Sequence, residues 1–265
     1  MADLPQSKIE ISFRQPQTGA RVVWVTISNE SMLNALNSSL IDQFAGVLRE
    51  AALDEQLRAV VIAGAGDKAF SGGADFRELA RLNPVSARDF ITRLHRACQA
   101  VRDLPVPVIA RIQGYALGAG LELAAACDLR IAADTAIFGM PEVKLGIPSV
   151  IEAALLPPLV GWGRAREILY LGENFSAADA LAWGLVERVV PKASLDQEVD
   201  RCIESLLRTG PRAIRLQKKL IRSWEDLPLR AAIDAGIDSL SAAYEGDEPR
   251  QAMQNFLSTR RKAAT

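Results

Sequence analysis

Two hydrophobic periods alternate along the first half of the chain. Ile9 to Phe13 and Val22 to Ile27 carry a β-type pattern, with turn residues from Pro16 to Gly19 between them. Asn37 to Ala52 follows the apolar spacing of an amphipathic helix, and Ala59 to Ala63 is the short apolar run of a buried strand. Beyond a loop from Gly64 to Ala74, one helix is expected from Asp75 and a second from about Ser86 to Arg102, stopping before Pro105. Val106 to Ile112 reads as another strand and runs into a glycine- and alanine-rich segment, Gln113 to Gly120. Leu121 to Cys127 then looks helical, and Leu129 to Ala132 and Ala136 to Phe138 look like short strands. Repeated strand-then-helix units predict an α/β fold.

From about Ser194 the strand signal ends and helical periodicity takes over, with Pro211, Pro228 and Pro249 near expected helix starts. The chain therefore divides into residues 1–193, the α/β core, and 194–265, a helical region. No Pro/Ser-rich linker separates them, so the helices are expected to pack on the core or on a neighbouring subunit.

Composition narrows the function classes. Of 265 residues, 49% are hydrophobic, enough for a substantial core. The 31 basic and 32 acidic residues nearly cancel, so no overall field favours nucleic acid or an anionic membrane. The start, Met-Ala-Asp-Leu-Pro-Gln-Ser, lacks the pattern of a secretory signal, and no apolar run reaches membrane-helix length. A cytoplasmic protein without membrane partners is expected. Cys98, Cys127 and Cys202 have no metal-type spacing, which predicts small buried residues and no bound metal.

Two segments share one design, a strand running into small residues and then a helix. They are Val60-Val61-Ile62-Ala63 to Ser71-Gly72-Gly73-Ala74-Asp75, and Val108-Ile109-Ala110 to Gly118-Ala119-Gly120. Small residues allow close approach to the backbone, and a helix start offers unpaired N–H groups, so two such starts could converge on one developing oxyanion. Plain turns are the other reading of either segment alone. Neither the phosphate-loop spacing nor GxGxxG is completed. Glu122 follows the second segment in an otherwise apolar helix, and Glu142 comes twenty residues later. A carboxylate among apolar neighbours has its charged form disfavoured and suits proton transfer, and two can divide acid and base roles. Glu122 could instead simply favour a helix start, and Glu142 could be a surface loop residue.

Three stretches, 68–75 (KAFSGGAD), 114–124 (GYALGAGLELA) and 138–148 (FGMPEVKLGIP), resemble successive signatures of the enoyl-CoA hydratase/isomerase, or crotonase, family. Weaker similarity runs from Leu33-Asn34-Ala35-Leu36 to the C-terminal stretch 248–257. The resemblance implies a spiral core of ββα units, a C-terminal helical trimerisation region, and a homotrimer or a dimer of trimers. It implies an acyl-CoA substrate whose thioester oxygen accepts hydrogen bonds from the Ala74 and Ala119 N–H groups, with no cofactor beyond the coenzyme A of the substrate. It further implies that Glu122 and Glu142 are catalytic, since hydratases of the family carry both. Hydration of a 2-enoyl-CoA is the leading expectation, and isomerisation, dehydration of a hydroxyacyl-CoA or thioester hydrolysis the alternatives.

Substrate- and CoA-side positions by the same resemblance are Gly73, Asp75, Arg77, Gly118 and Phe256. Asp75 also reads as a helix cap, Arg77 as a solvated arginine, and Phe256 as a packing residue; Lys68 resembles Arg77 in this respect. The chain departs from the hydratase pattern after Pro148, where 149–155 reads SVIEAAL in place of a glycine-rich stretch. His95, the sole histidine, lies where dehalogenase-like relatives can carry a catalytic one. Val150 and Ile151 occupy the region of the aspartate that would partner it, so His95 reads as structural or solvent-facing. Family relatives that bind RNA suggest a third function, but the helix from Asn37 to Ala52 carries a single basic residue, Arg49, and no nucleic-acid partner is expected.

Overall fold

The computed structural model describes residues 7–17 and 19–263, and of residues 15–17 and 259–263 the main chain only. Met1 to Gln6, and Thr18 in the turn expected between Pro16 and Gly19, lie outside the described residues. By compactness the chain divides into residues 1–202 and 203–265.

The first unit is built on two sheets. The larger orders its strands β1 (Lys8–Gln17), β2 (Ala20–Ser28), β3 (Leu57–Gly64), β5 (Val108–Ile112), β7 (Leu129–Ala133) and β10 (Arg188–Val190); only β1 pairs antiparallel. The smaller orders β4 (Ala69–Ser71), β6 (Tyr115–Leu117), β8 (Ile137–Gly139) and β9 (Asn174–Ser176), with β9 antiparallel. Three successive units, β3–β4, β5–β6 and β7–β8, each place their first strand in the large sheet and their second in the small one. This is the spiral of a crotonase fold. Every residue of β3 is buried, as expected of a parallel strand covered on both faces. β5 begins at Val108 and not Val106 because Pro107 has no N–H for the ladder, and its carbonyl accepts from Val60 N (3.0 Å).

Helices cover the sheets. α1 (Ser38–Ala51) starts at the Asn37 cap, whose side chain accepts from Leu40 N (2.9 Å), and buries Leu40, Ile41, Phe44, Ala45 and Leu48 along one face. It packs on α3 (Pro84–Arg102). The helix expected from Asp75 is a single turn, α2 (Phe76–Leu79). α4 (Ala119–Ala126) begins two residues before the expected Leu121 and is buried on all sides, which fits its alanine-rich sequence.

The stretch after Met140, where no elements were read, holds 3-10 turns at Pro141–Leu145 and Ile151–Leu155, α5 (Leu156–Leu171, kinked at Gly161), β9, α6 (Ala177–Ala182) and β10. Strands of three residues, β4 and β6 included, carry no period of their own and exist through their sheet partners. All three cysteines are buried, as expected.

α7 (Leu195–Leu207) spans the boundary between the units, and the second unit continues with α8 (Pro211–Asp226), α9 (Leu229–Ala243) and α10 (Glu248–Ala263). Pro211 opens α8, Pro228 caps α9 and Pro249 sits in the first turn of α10. Within this unit Trp224 Nε1 donates to Ala232 O (2.9 Å), tying α8 to α9. No helix among the described residues is long and apolar enough to cross a membrane.

Candidate active site

Three buried polar side chains shape the loop that carries Ala74. Asn34 Nδ2 donates to Ala65 O (2.9 Å) and Ala69 O (2.8 Å), and Gln113 Nε2 donates to Gly64 O (2.8 Å) and Gly66 O (3.0 Å). Ser71 Oγ donates to Asn34 O (2.9 Å) and accepts from Gly73 N (3.2 Å). These bonds satisfy main-chain groups that the irregular loop would otherwise bury unpaired. Leu36 then brackets Ala74, donating to Gly73 O (2.8 Å) and accepting from Asp75 N (2.9 Å). Because neighbouring residues of an extended segment face opposite ways, the Ala74 N–H points away from Leu36.

The second loop turns from β6 into α4 at Gly118, whose φ of +50° is favourable only for glycine. Ala119 follows as the first helical residue, where an N–H has no partner inside the helix. The two loops touch through glycines. A β-carbon on Gly73 would stand 2.8 Å from Leu117 O and 3.5 Å from Ala119 N, and one on Gly120 would strike Ser71 O. Side chains at either position would push the loops apart. Neither the Ala74 nor the Ala119 N–H donates to another protein group among the described residues, and both alanines line one cavity.

That cavity holds about 480 Å³, within the usual range of small-molecule sites. One wall is apolar, with Phe76, Leu79, Leu82, Phe90, Ile91 and Leu94 from α2, α3 and the turn between them. Leu145, Ile147 and Val150 face them. The lining also brings together Gly73, Ala74, Gly118, Ala119, Glu122 and Glu142, with Arg88 and Ser149 among the other polar residues.

Glu122 is buried at 4% exposure on α4, and its Oε1 accepts from Ala153 N (3.1 Å). Burial, then the Glu142 charge, push its carboxyl up to about 8, while the Ala153 N–H works in the opposite direction. Glu142 lies in the 3-10 turn after β8, half-buried, with its Oε2 accepting from Ser149 Oγ (2.8 Å). The site thus offers two unpaired N–H donors beside two carboxyls, one of them held protonated in neutral solution. Such a site can stabilise charge on an oxygen and move protons on nearby carbon.

Asp75 and Arg77 flank this lining without entering it. Asp75 caps α2 by accepting from Arg77 N (2.8 Å), and the Arg77 side chain is largely exposed. Since α2 has one turn, its dipole is slight, and Ala74 is placed by its bridge to Leu36 instead. Lys68 lines a separate cleft with Glu30, Ser31 and Asn34. Phe256 belongs to the second unit and is exposed on α10.

His95 has a partner that the sequence did not reveal. It is half-exposed, yet its Nδ1 lies 2.8 Å from Oε1 of the buried Glu152, two residues past the Val150 where a partner was sought. The acid set among apolar residues in IEAAL was the available signal. Asn34, Gln113 and Ser149 were also passed over, because isolated polar residues announce no network until the fold closes.

The sequence profile of the enoyl-CoA hydratase/isomerase family matches residues 17–264. A short-chain-enoyl-CoA hydratase of Clostridium acetobutylicum is 33% identical over 242 residues, covering 91% of this chain and 93% of its own. A crotonyl-CoA hydratase of Syntrophomonas wolfei is 33% identical over 236 residues, covering 89% and 91%. Among solved structures, an enoyl-CoA hydratase from Bacillus anthracis superposes with a TM-score of 0.89 at 33% identity, covering 94% of this chain and 96% of its own.

Proposed function

This chain belongs to the enoyl-CoA hydratase/isomerase family, and on that premise we propose that it adds water to the α,β double bond of a 2-enoyl-CoA. The carrying observation is that Glu122 and Glu142 line the same cavity as the unpaired Ala74 and Ala119 N–H groups. The thioester oxygen accepts from both N–H groups, each worth about 3 to 4 kcal/mol to the enolate-like transition state. Water's oxygen bonds to the β-carbon as Glu122 accepts its proton, and Glu142 gives a proton to the α-carbon. One carboxyl proton is spent and one regained, so the pair carries a single proton throughout. The apolar wall takes the acyl chain. No metal or redox group enters these steps.

The reversed assignment is a second reading. Glu122, held near 8, keeps the shared proton before substrate enters, which favours it as the acid and Glu142 as the base. Deuterium exchange at the α-carbon of a saturated acyl-CoA separates the two. Loss of exchange in Glu142→Gln alone supports the first, and loss in Glu122→Gln alone supports the second. Mass analysis of an enoyl- and hydroxyacyl-CoA panel tests the reaction class, and release of free CoA without water addition would mark a hydrolase.

The assembly is proposed to be a homotrimer or a dimer of trimers. α9 supports this with exposed Leu229, Ile233, Ile237, Leu240 and Tyr244 repeating at three- and four-residue steps, an apolar stripe suited to a subunit contact.

A further inference from the structure

The His95–Glu152 pair has no place in the steps above, yet it lies one residue from the group that holds Glu122. Glu152 is 6% exposed, within the 3-10 turn Ile151–Leu155. Burying a carboxylate is costly unless a partner compensates. Here the compensation is the ring of His95 on α3, at 2.8 Å, while Glu152 Oε2 is buried without a nitrogen or oxygen donor. The next residue, Ala153, donates its N–H to Glu122 Oε1 (3.1 Å), the carboxyl's one hydrogen bond among the described residues. Ile151 opens the same turn at φ +42°, a left-handed conformation that a β-branched residue rarely adopts and that its surroundings must enforce.

We propose that His95 and Glu152 are positioning residues for Glu122: their hydrogen bond ties the turn to α3 and so aims the Ala153 N–H at Glu122 Oε1. Neither residue of the pair lines the cavity, so the pair acts through the turn. The titratable groups facing it are Cys98 on α3, with Cys127 beside that thiol, and Glu122 on α4 with Glu142 beyond it. Glu152's charge also helps to hold Glu122 protonated. The inference deepens the hydratase reading and rests on it for its kinetic readout.

Four variants test it: His95→Ala, His95→Gln, Glu152→Ala and Glu152→Gln. His95 sits on the surface side of the pair, so its variants leave the core intact. Hydration of crotonyl-CoA is expected to lose roughly 10-fold in kcat in both alanine variants, with KM changed less than about 2-fold. The glutamine variants, which keep a hydrogen bond between the two positions, are expected to recover most of kcat. A second readout needs no substrate. The protonated-carboxyl infrared band of Glu122, obtained by subtracting the Glu122→Gln spectrum, should titrate at higher pH in His95→Ala, where the Ala153 N–H no longer steadies the charged form, and close to the wild-type pH in His95→Gln. Wild-type kcat in both alanine variants, or glutamine variants as impaired as alanine, overturns the proposal. If the wild-type protein hydrates no enoyl-CoA, the hydratase reading fails and the infrared titration decides the positioning role: a shift to higher pH in His95→Ala that His95→Gln reverses supports it, and an unmoved band overturns it.

Discussion

Glu142 and Gly118 stand so close that a β-carbon on Gly118 would strike the Glu142 carboxylate oxygen. Gly118 also holds a φ of +50°, which costs an alanine about 1 to 2 kcal/mol. Gly118→Ala is therefore expected to lower the melting temperature by several degrees and to displace Glu142. Hydration of crotonyl-CoA should fall more than about 10-fold, further than the lost stability explains. A variant with full activity would separate Glu142 from the chemistry.

Removing either acid tests the proton transfers directly. Glu122→Gln and Glu142→Gln are each expected to lower kcat by about 100-fold or more, the usual reach of a positioned acid or base. Circular dichroism should show both variants folded. Near-normal turnover in both would exclude the two-carboxyl mechanism.

Glu122 also ties stability to pH. Its carboxyl is pushed up to about 8 in the folded chain from the ordinary 4.5, so between these limits the folded state holds the proton more tightly than the unfolded state. The stability this confers is complete below about pH 4.5 and is lost as pH rises through about 8. Glu122→Gln lacks this dependence. Melting curves of the two proteins should diverge as pH rises, with the wild type losing ground to the variant by up to roughly 5 kcal/mol. Parallel curves would mean that folding leaves the Glu122 carboxyl at its ordinary value.

For the assembly, paired substitutions on the α9 stripe should be decisive. Ile233→Asp with Ile237→Asp places two charges where the proposed subunit contact lies, and light scattering is expected to report a monomer in place of a trimer or hexamer. An unchanged mass would move the contact elsewhere.

Sequence patterning made the α/β core and the C-terminal helices legible wherever an element had length enough to show a period. β3, eight residues long and wholly buried, was readable; β4 and β6, at three residues, were not. The two glycine loops were legible because glycine marks places where backbone must meet backbone, as Gly73 meets Leu117 O and Gly120 meets Ser71. Their meeting was offered by the small residues only as a possibility, since it depends on Leu36, Asn34 and Gln113, whose partners lie 31 to 49 residues away. Glu152 was missed for a related reason. A carboxylate in an apolar run has meaning only once its partner is known, and His95 stands 57 positions earlier.

α4 has no face on the solvent, and Glu122 rides on it. A proton bound for this carboxyl must travel by way of the cavity, the same opening an acyl group would occupy. Once a ligand seats there, that route is blocked and the Glu122 carboxyl can exchange protons only with what shares the cavity. Acidity would then be sampled at the instant of capture, so the pH felt by turnover is that of the open, waiting protein.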